Sequence, residues 1–137
     1  MESLSLQQLR IVEDQLRQIR EAIHHLELWN DSLTNIDELL TSPSGMKTLA
    51  ADCMLIEAIG EGVKRIDERT HQQLLQHRPE IPWKAVKGMR DHIAHGYFDI
   101  NTNFVWDVVK NDLIPLRDAI DYLIDHLYDI IPCDVEK

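Results

Sequence analysis

Leu9-Arg10-Ile11-Val12-Glu13-Asp14-Gln15-Leu16-Arg17-Gln18-Ile19-Arg20-Glu21-Ala22-Ile23-His24-His25-Leu26 carries apolar side chains at Leu9, Val12, Leu16, Ile19, Ile23 and Leu26. Steps of three and four residues lay such side chains along one stripe of an α-helix, which turns once every 3.6 residues. Glu13, Asp14, Gln15, Arg17, Gln18 and Arg20 fall on the opposite side. The stretch predicts a long amphipathic helix with one face in a core, and it sets the fold class for the rest of the chain.

Outward from it the same period returns. Leu33, Ile36, Leu39 and Leu40 predict a shorter helical segment, which Thr41-Ser42-Pro43-Ser44-Gly45 breaks with turn residues. A second long helix is expected from Met46, with Leu49, Cys53, Ile56, Gly60 and Val63 on one face and Leu55, Ile59, Gly62 and Ile66 on another. Gly60 and Gly62 each weaken a helix by about 1 kcal/mol relative to Ala, so a neighbouring backbone is expected to pack closely there. Pro82 suits a first helical turn, where its missing N–H has no partner to lose. The helix it opens runs through Trp83, Val86, Met89, Arg90 and Ile93 and is predicted to stop at Gly96, with His95 its last residue. Asp99, Asn101, Thr102 and Asn103 form a turn and cap cluster, followed by a short helix over Phe104, Val105, Trp106, Val108 and Val109 and a restart at Asn111-Asp112. Leu113, Leu116, Ile120, Leu123, Leu127 and Ile130 then predict a final helix with Pro115 in its first turn and Pro132 beyond its end. The expectation is an all-α fold: an antiparallel helical bundle of four main helices plus short helices, in one domain spanning residues 1–137.

Composition agrees, since 137 residues with 44% apolar and 6% aromatic content suit one helical core. No apolar run reaches membrane-spanning length and no basic-then-apolar leader precedes residue 9, so a cytoplasmic protein without membrane contact is expected. Cys53 and Cys133 have no second cysteine nearby, so neither a metal site nor a disulfide nor any cofactor is expected. The absence of a glycine-rich phosphate loop excludes P-loop nucleotide hydrolysis. The net charge of −10 is unevenly spread. Residues 64 to 95 hold seven cations (Lys64, Arg65, Arg69, Arg78, Lys84, Lys87, Arg90) against four acids (Asp67, Glu68, Glu80, Asp91), a balance of +3; the remainder has seven against twenty, or −13. Lys84 and Lys87 are candidate RNA contacts on this island, although a solvated helix face explains them nearly as well.

The chemistry gathers in Arg90-Asp91-His92-Ile93-Ala94-His95-Gly96-Tyr97. On a continuous helix Arg90 and His95 diverge by about 140°. Asp91 and His95 share a face, which lets the carboxylate orient the imidazole, and His92 points elsewhere as a surface residue. Cleavage of RNA needs a base for the 2′-hydroxyl, an acid for the leaving 5′-oxygen and a cation for the charge that develops on phosphorus. Two chains with these helix ends facing each other supply all three without a metal. On the spacing alone this is a weak signal, and a purely structural pair, with Arg90 capping carbonyls and His95 satisfied at a helix end, is the favoured reading.

Arg90, four residues, His95, one residue, Tyr97 resembles the Arg-x4-His-x-Tyr motif of the HepT-like toxins in the HEPN superfamily. Ile59-Gly60-Glu61, Ile81-Pro82-Trp83, Gly88-Met89-Arg90, His95-Gly96-Tyr97-Phe98 and Trp106 fit that pattern too. The resemblance implies a homodimeric HEPN-like bundle and a toxin of a toxin–antitoxin pair. Its activity would be a metal-independent endoribonuclease at the dimer interface, with Arg90 and His95 catalytic and Asp91 a supporting residue. It further implies a nucleotidyltransferase antitoxin that silences the toxin by AMPylation of Tyr97. The competing expectation is a non-catalytic helical module that binds such a partner or a nucleotide.

Overall fold

Ser5 starts the first helix. Its hydroxyl accepts a hydrogen bond from the Gln8 backbone N–H at 3.1 Å while the Gln8 side chain accepts one from the Ser5 N–H at 3.0 Å, so two otherwise unpaired donors are satisfied together. Helix α1 then runs over Leu6–Asn30, and all six apolar positions of its predicted stripe are buried. The computed structural model describes residues 2–96 and 98–134 of the chain, and every regular element among them is helical.

α2 covers Pro43–Arg69, α3 Trp83–Lys87, α4 Arg90–Ile93, α5 Thr102–Asp107 and α6 Leu113–Ile130. α1 lies between α2 and α6 and runs antiparallel to both. Against α6, Glu13 meets Tyr128, Arg20 meets Asp121 and Glu27 meets Arg117, a register in which one residue number rises as the other falls. Against α2, Ile19 touches Gly62 and Asn30 bonds Asp52. The core between them is aliphatic, with Leu16, Ile23, Leu26, Ile56, Val63, Ile120 and Leu123 fully buried. The expected close approach of a backbone is present at Gly60, whereas Gly62 meets a side chain. A Cβ on Gly60 would stand 2.9 Å from the Val86 carbonyl oxygen, and one on Gly62 would stand 3.1 Å from the Ile19 side chain.

Four boundaries differ from the periodicity. The segment expected over Leu33 to Leu40 is one tight turn, Ile36–Leu39, in which Leu39 is buried and Leu40 exposed. α2 begins at Pro43, three residues before Met46, because Ser42 accepts from the Gly45 N–H and proline is at home in a first turn. The helix opened by Pro82 is not continuous: it bends at Gly88-Met89 into α3 and α4, so the fourth main helix is two short pieces. At Asn111-Asp112, conversely, there is no restart. A widened turn over Val108–Asp112 joins α5 to α6. Pro115 cannot donate to the Asn111 carbonyl and its ring crowds it, and the wider turn absorbs both effects.

Candidate functional site

α3 is fastened at both ends. The Trp83 indole donates to the Arg78 carbonyl at 2.9 Å, and the Lys87 ammonium is held by the buried carboxylate of Asp67 on α2. Between these ties the Val86 carbonyl sits in the space that Gly60 leaves open. Val86, Met89 and Ile93 are buried at the predicted spacing, which turns the intervening residues outward: Arg90, Asp91 and His92 are all exposed.

α4 ends at Ile93, earlier than Gly96. Ala94 is extended, with φ −166° and ψ 153°, and pairs with Ile100 as an isolated antiparallel bridge. The Ile93 carbonyl accepts from the Asn101 N–H at 2.7 Å, and the His95 N–H donates to the Asp99 carbonyl at 3.3 Å. His95 is therefore the first residue of a closed loop and not the last residue of a helix. This overturns the expectation that it is the last residue of a helix, together with the 140° separation from Arg90, which holds only on a continuous helix. The physical reason is that backbone pairing across the loop replaces the last helical turn. Gly96, at φ +136°, supplies the conformation that lets the loop close. Phe98 is 98% exposed on it. Tyr97 lies outside the described residues.

His95 and Asp91 share one hollow, but among the described residues no hydrogen bond or ion pair joins the imidazole to the carboxylate. Both line a hollow of about 420 Å³ with His92, Asp99, Ile100 and Asn101. Asp99 reads from the sequence pattern only as a turn residue; an acid four positions beyond His95, across a glycine, is its signal. Asn101 is the cap that was predicted, accepting from the Phe104 N–H at 3.1 Å. Arg90 does not line the hollow, and its side chain makes no hydrogen bond or ion pair among the described residues. The His92 ring lies 5.6 Å from that of Phe104. Lys84 is exposed on α3. The basic island is partly neutralised, since Arg78 is paired with Glu80 at 2.8 Å and Lys87 with Asp67. Among the described residues no group of three or more His, Cys, Asp or Glu side chains is arranged to hold a metal ion, and no helix is long and apolar enough to cross a membrane.

An imidazole with two carboxylates in one exposed hollow has the parts for proton transfer at a bound substrate. The chain is also similar to known proteins. The family model described as "Ribonuclease HepT-like" matches residues 12–123. A Thermococcus cleftensis protein named "Probable ribonuclease HepT" is 33% identical over 113 residues, covering 80% of this chain and 93% of that protein. "Putative RNase MJ0127" of Methanocaldococcus jannaschii is 38% identical over 65 residues, 47% of this chain and 50% of that protein. From the same organism, "Gamma-glutamylcyclotransferase and putative RNase MJ0434" is 29% identical over 114 residues, 82% of this chain and 47% of its own length. The chain thus spans about half the length of two of these three relatives. No solved structure matches it significantly.

Proposed function

The chain belongs to the HepT-like ribonuclease family, and from that premise we propose that it is a metal-independent endoribonuclease, the toxin of a toxin–antitoxin pair. One observation supports the placement of the chemistry: His95 is exposed and lines an open hollow together with Asp91 and Asp99. His95 takes the proton of a ribose 2′-hydroxyl. The freed oxygen attacks phosphorus, the bond to the 5′-oxygen breaks, and that oxygen leaves with a proton from a second imidazole. Charge on phosphorus is met by Arg90. Because the hollow brings two carboxylates and no cation of its own, the guanidinium has to enter from outside it, which favours a homodimer with Arg90 and His95 of both copies facing one cleft. Lys84 is the α3 cation left to attract RNA, as Lys87 is engaged with Asp67.

Tyr97 is the acceptor for AMP from a nucleotidyltransferase antitoxin. An adenylate two residues from His95 places bulk and negative charge where RNA phosphates must approach.

A second reading, a non-catalytic module that binds a nucleotidyltransferase or a nucleotide, is favoured by the position of Arg90 outside the hollow. The two separate in one assay. Purified protein is given RNA in excess EDTA: the ribonuclease cleaves it, and Arg90→Ala or His95→Ala lowers the rate by about 10²–10⁴-fold. RNA left equally intact by all three proteins establishes the module instead. Coexpression with an active nucleotidyltransferase partner is expected to add the mass of AMP to the peptide carrying Tyr97 and to no peptide of the Tyr97→Phe variant. An unmodified Tyr97 peptide under those conditions removes the antitoxin mechanism.

A further inference from the structure

Beside the hollow lies a second opening, a cleft of about 470 Å³ between α3–α4 on one side and α5, the widened turn and α6 on the other. Its walls are apolar, with Ala85 and Met89 facing Phe104 and Leu116. His92 lines both the cleft and the hollow, so its ring is the partition between them. That ring is inclined by 34° to the Phe104 ring, giving the shared wall two aromatic surfaces. Two carboxylates stand on the rim. Glu80 is engaged by the Arg78 guanidinium through both oxygens, at 3.2 and 2.8 Å. The Asp112 side chain has no hydrogen bond or ion pair among the described residues, and partial burial, followed by the nearby charge of Asp107, raises its pKa.

We propose that this cleft is a nucleobase subsite, in which the base of the nucleotide adjoining the cleaved phosphodiester stacks on His92 and Phe104 and donates hydrogen bonds to Asp112, with guanine preferred. The proposal rests on the ribonuclease reading above and says where its substrate's sequence is read. Chemistry selects the occupant. A phosphate finds carboxylates and no available cation on the rim. An apolar helix of a partner would fill the walls but leave the Asp112 carboxylate covered and unpaired, which is costly. A flat heterocycle satisfies both, because aromatic side chains accept any base by stacking while the carboxylate selects among edges. An ionised carboxylate only accepts. Guanine offers two adjacent donors, N1–H and the 2-amino group; uracil offers one N–H between two carbonyl oxygens that repel Asp112.

The test uses the purified full chain in EDTA with RNA oligonucleotides that differ at one position next to a single cleavage point. Guanine is expected to exceed inosine, which lacks only the 2-amino group, by about tenfold in kcat/KM, and uracil by more. Asp112→Asn presents an N–H where the base needs an acceptor and brings guanine and inosine to within about twofold. Ala85→Trp, at an exposed helix position, fills the cleft and abolishes the preference by a different route. Cleavage with no dependence on the adjoining base, or a preference that survives both substitutions, overturns the subsite and leaves the ribonuclease reading standing. If no RNA is cut at all, the ribonuclease reading fails, and equilibrium binding decides the cleft separately. Saturable binding of GMP, tighter than that of UMP and weakened by Asp112→Asn, supports it. Equal binding of the two nucleotides, or an Ala85→Trp effect confined to a protein partner, overturns it.

Discussion

Asp52 is the charged group in the most demanding place. It is wholly buried on α2, where its Oδ1 accepts from the Asn30 amide at 2.8 Å and its Oδ2 has no partner. Burial pushes the carboxyl up to about 6, with the Asn30 hydrogen bond pulling more weakly the other way. Asn30 Oδ1 is also buried without a donor. A proton on Oδ2 makes it a donor, which is what Asn30 Oδ1 lacks. The folded chain keeps this proton up to about pH 6 while the unfolded chain, with an ordinary value of 3.8, releases it earlier. Stability from this pair is therefore fully present below the unfolded value and is lost as pH rises through the folded one, by about 3 kcal/mol across that window. Asp52→Asn keeps the shape and supplies an N–H permanently. Denaturant midpoints measured from pH 4 to 8 are expected to show wild type falling relative to this variant up to about pH 6 and a constant gap beyond. Parallel curves would show that the carboxyl is ionised throughout.

The bent pair α3–α4 is held by its neighbours rather than by its own length, since helices of a few residues do not persist alone. Gly60 is the seat of that hold. Gly60→Ala pushes a methyl against a backbone oxygen, which cannot rotate away, and is expected to cost about 1–3 kcal/mol in thermal unfolding while displacing the segment that leads to Arg90. Gly62→Ala meets only the flexible end of Ile19, and its gain in helix propensity of about 1 kcal/mol offsets the crowding. Equal losses at the two positions would deny α3 its anchor. The long helices were readable because a stripe such as Leu9 to Leu26 states its own period, and even Val86, Met89 and Ile93 announced their burial. What periodicity hid was the bend at Gly88 and the stop at Ile93. Lys87 is tied to Asp67, twenty positions away, and Ala94 pairs with Ile100 across Gly96. Neither partner falls within a helical window, so Gly96 looked like the cap of a helix that had already ended. The loop, not a helix face, brings Asp91 and His95 to one hollow.

For the molecule as a whole, the proposed cleft makes a claim about two copies that one copy cannot test. If the one cleft needs the imidazoles of both copies, a wild-type chain paired with a His95→Ala chain is inactive. Random exchange in an equal mixture of the two proteins then lowers the total rate to about half of its value before exchange, because intact dimers fall from one half to one quarter of the total. A total rate unchanged after verified subunit exchange would place a complete centre in each chain. The same mixing leaves the α1 to α6 scaffold untouched, so lost folding cannot imitate the result. That scaffold is also tied between Leu4 and residues 132–134. The Leu4 N–H donates to the Pro132 carbonyl at 3.0 Å and the Asp134 N–H to the Leu4 carbonyl at 2.7 Å, beside a Leu4–Cys133 bridge. The backbone thus traces an almost closed ring, and the connectivity can be re-cut. A short peptide linking Asp134 back to Ser3, with a new opening in the exposed turn after α1, yields a circular permutant that keeps the helices in place.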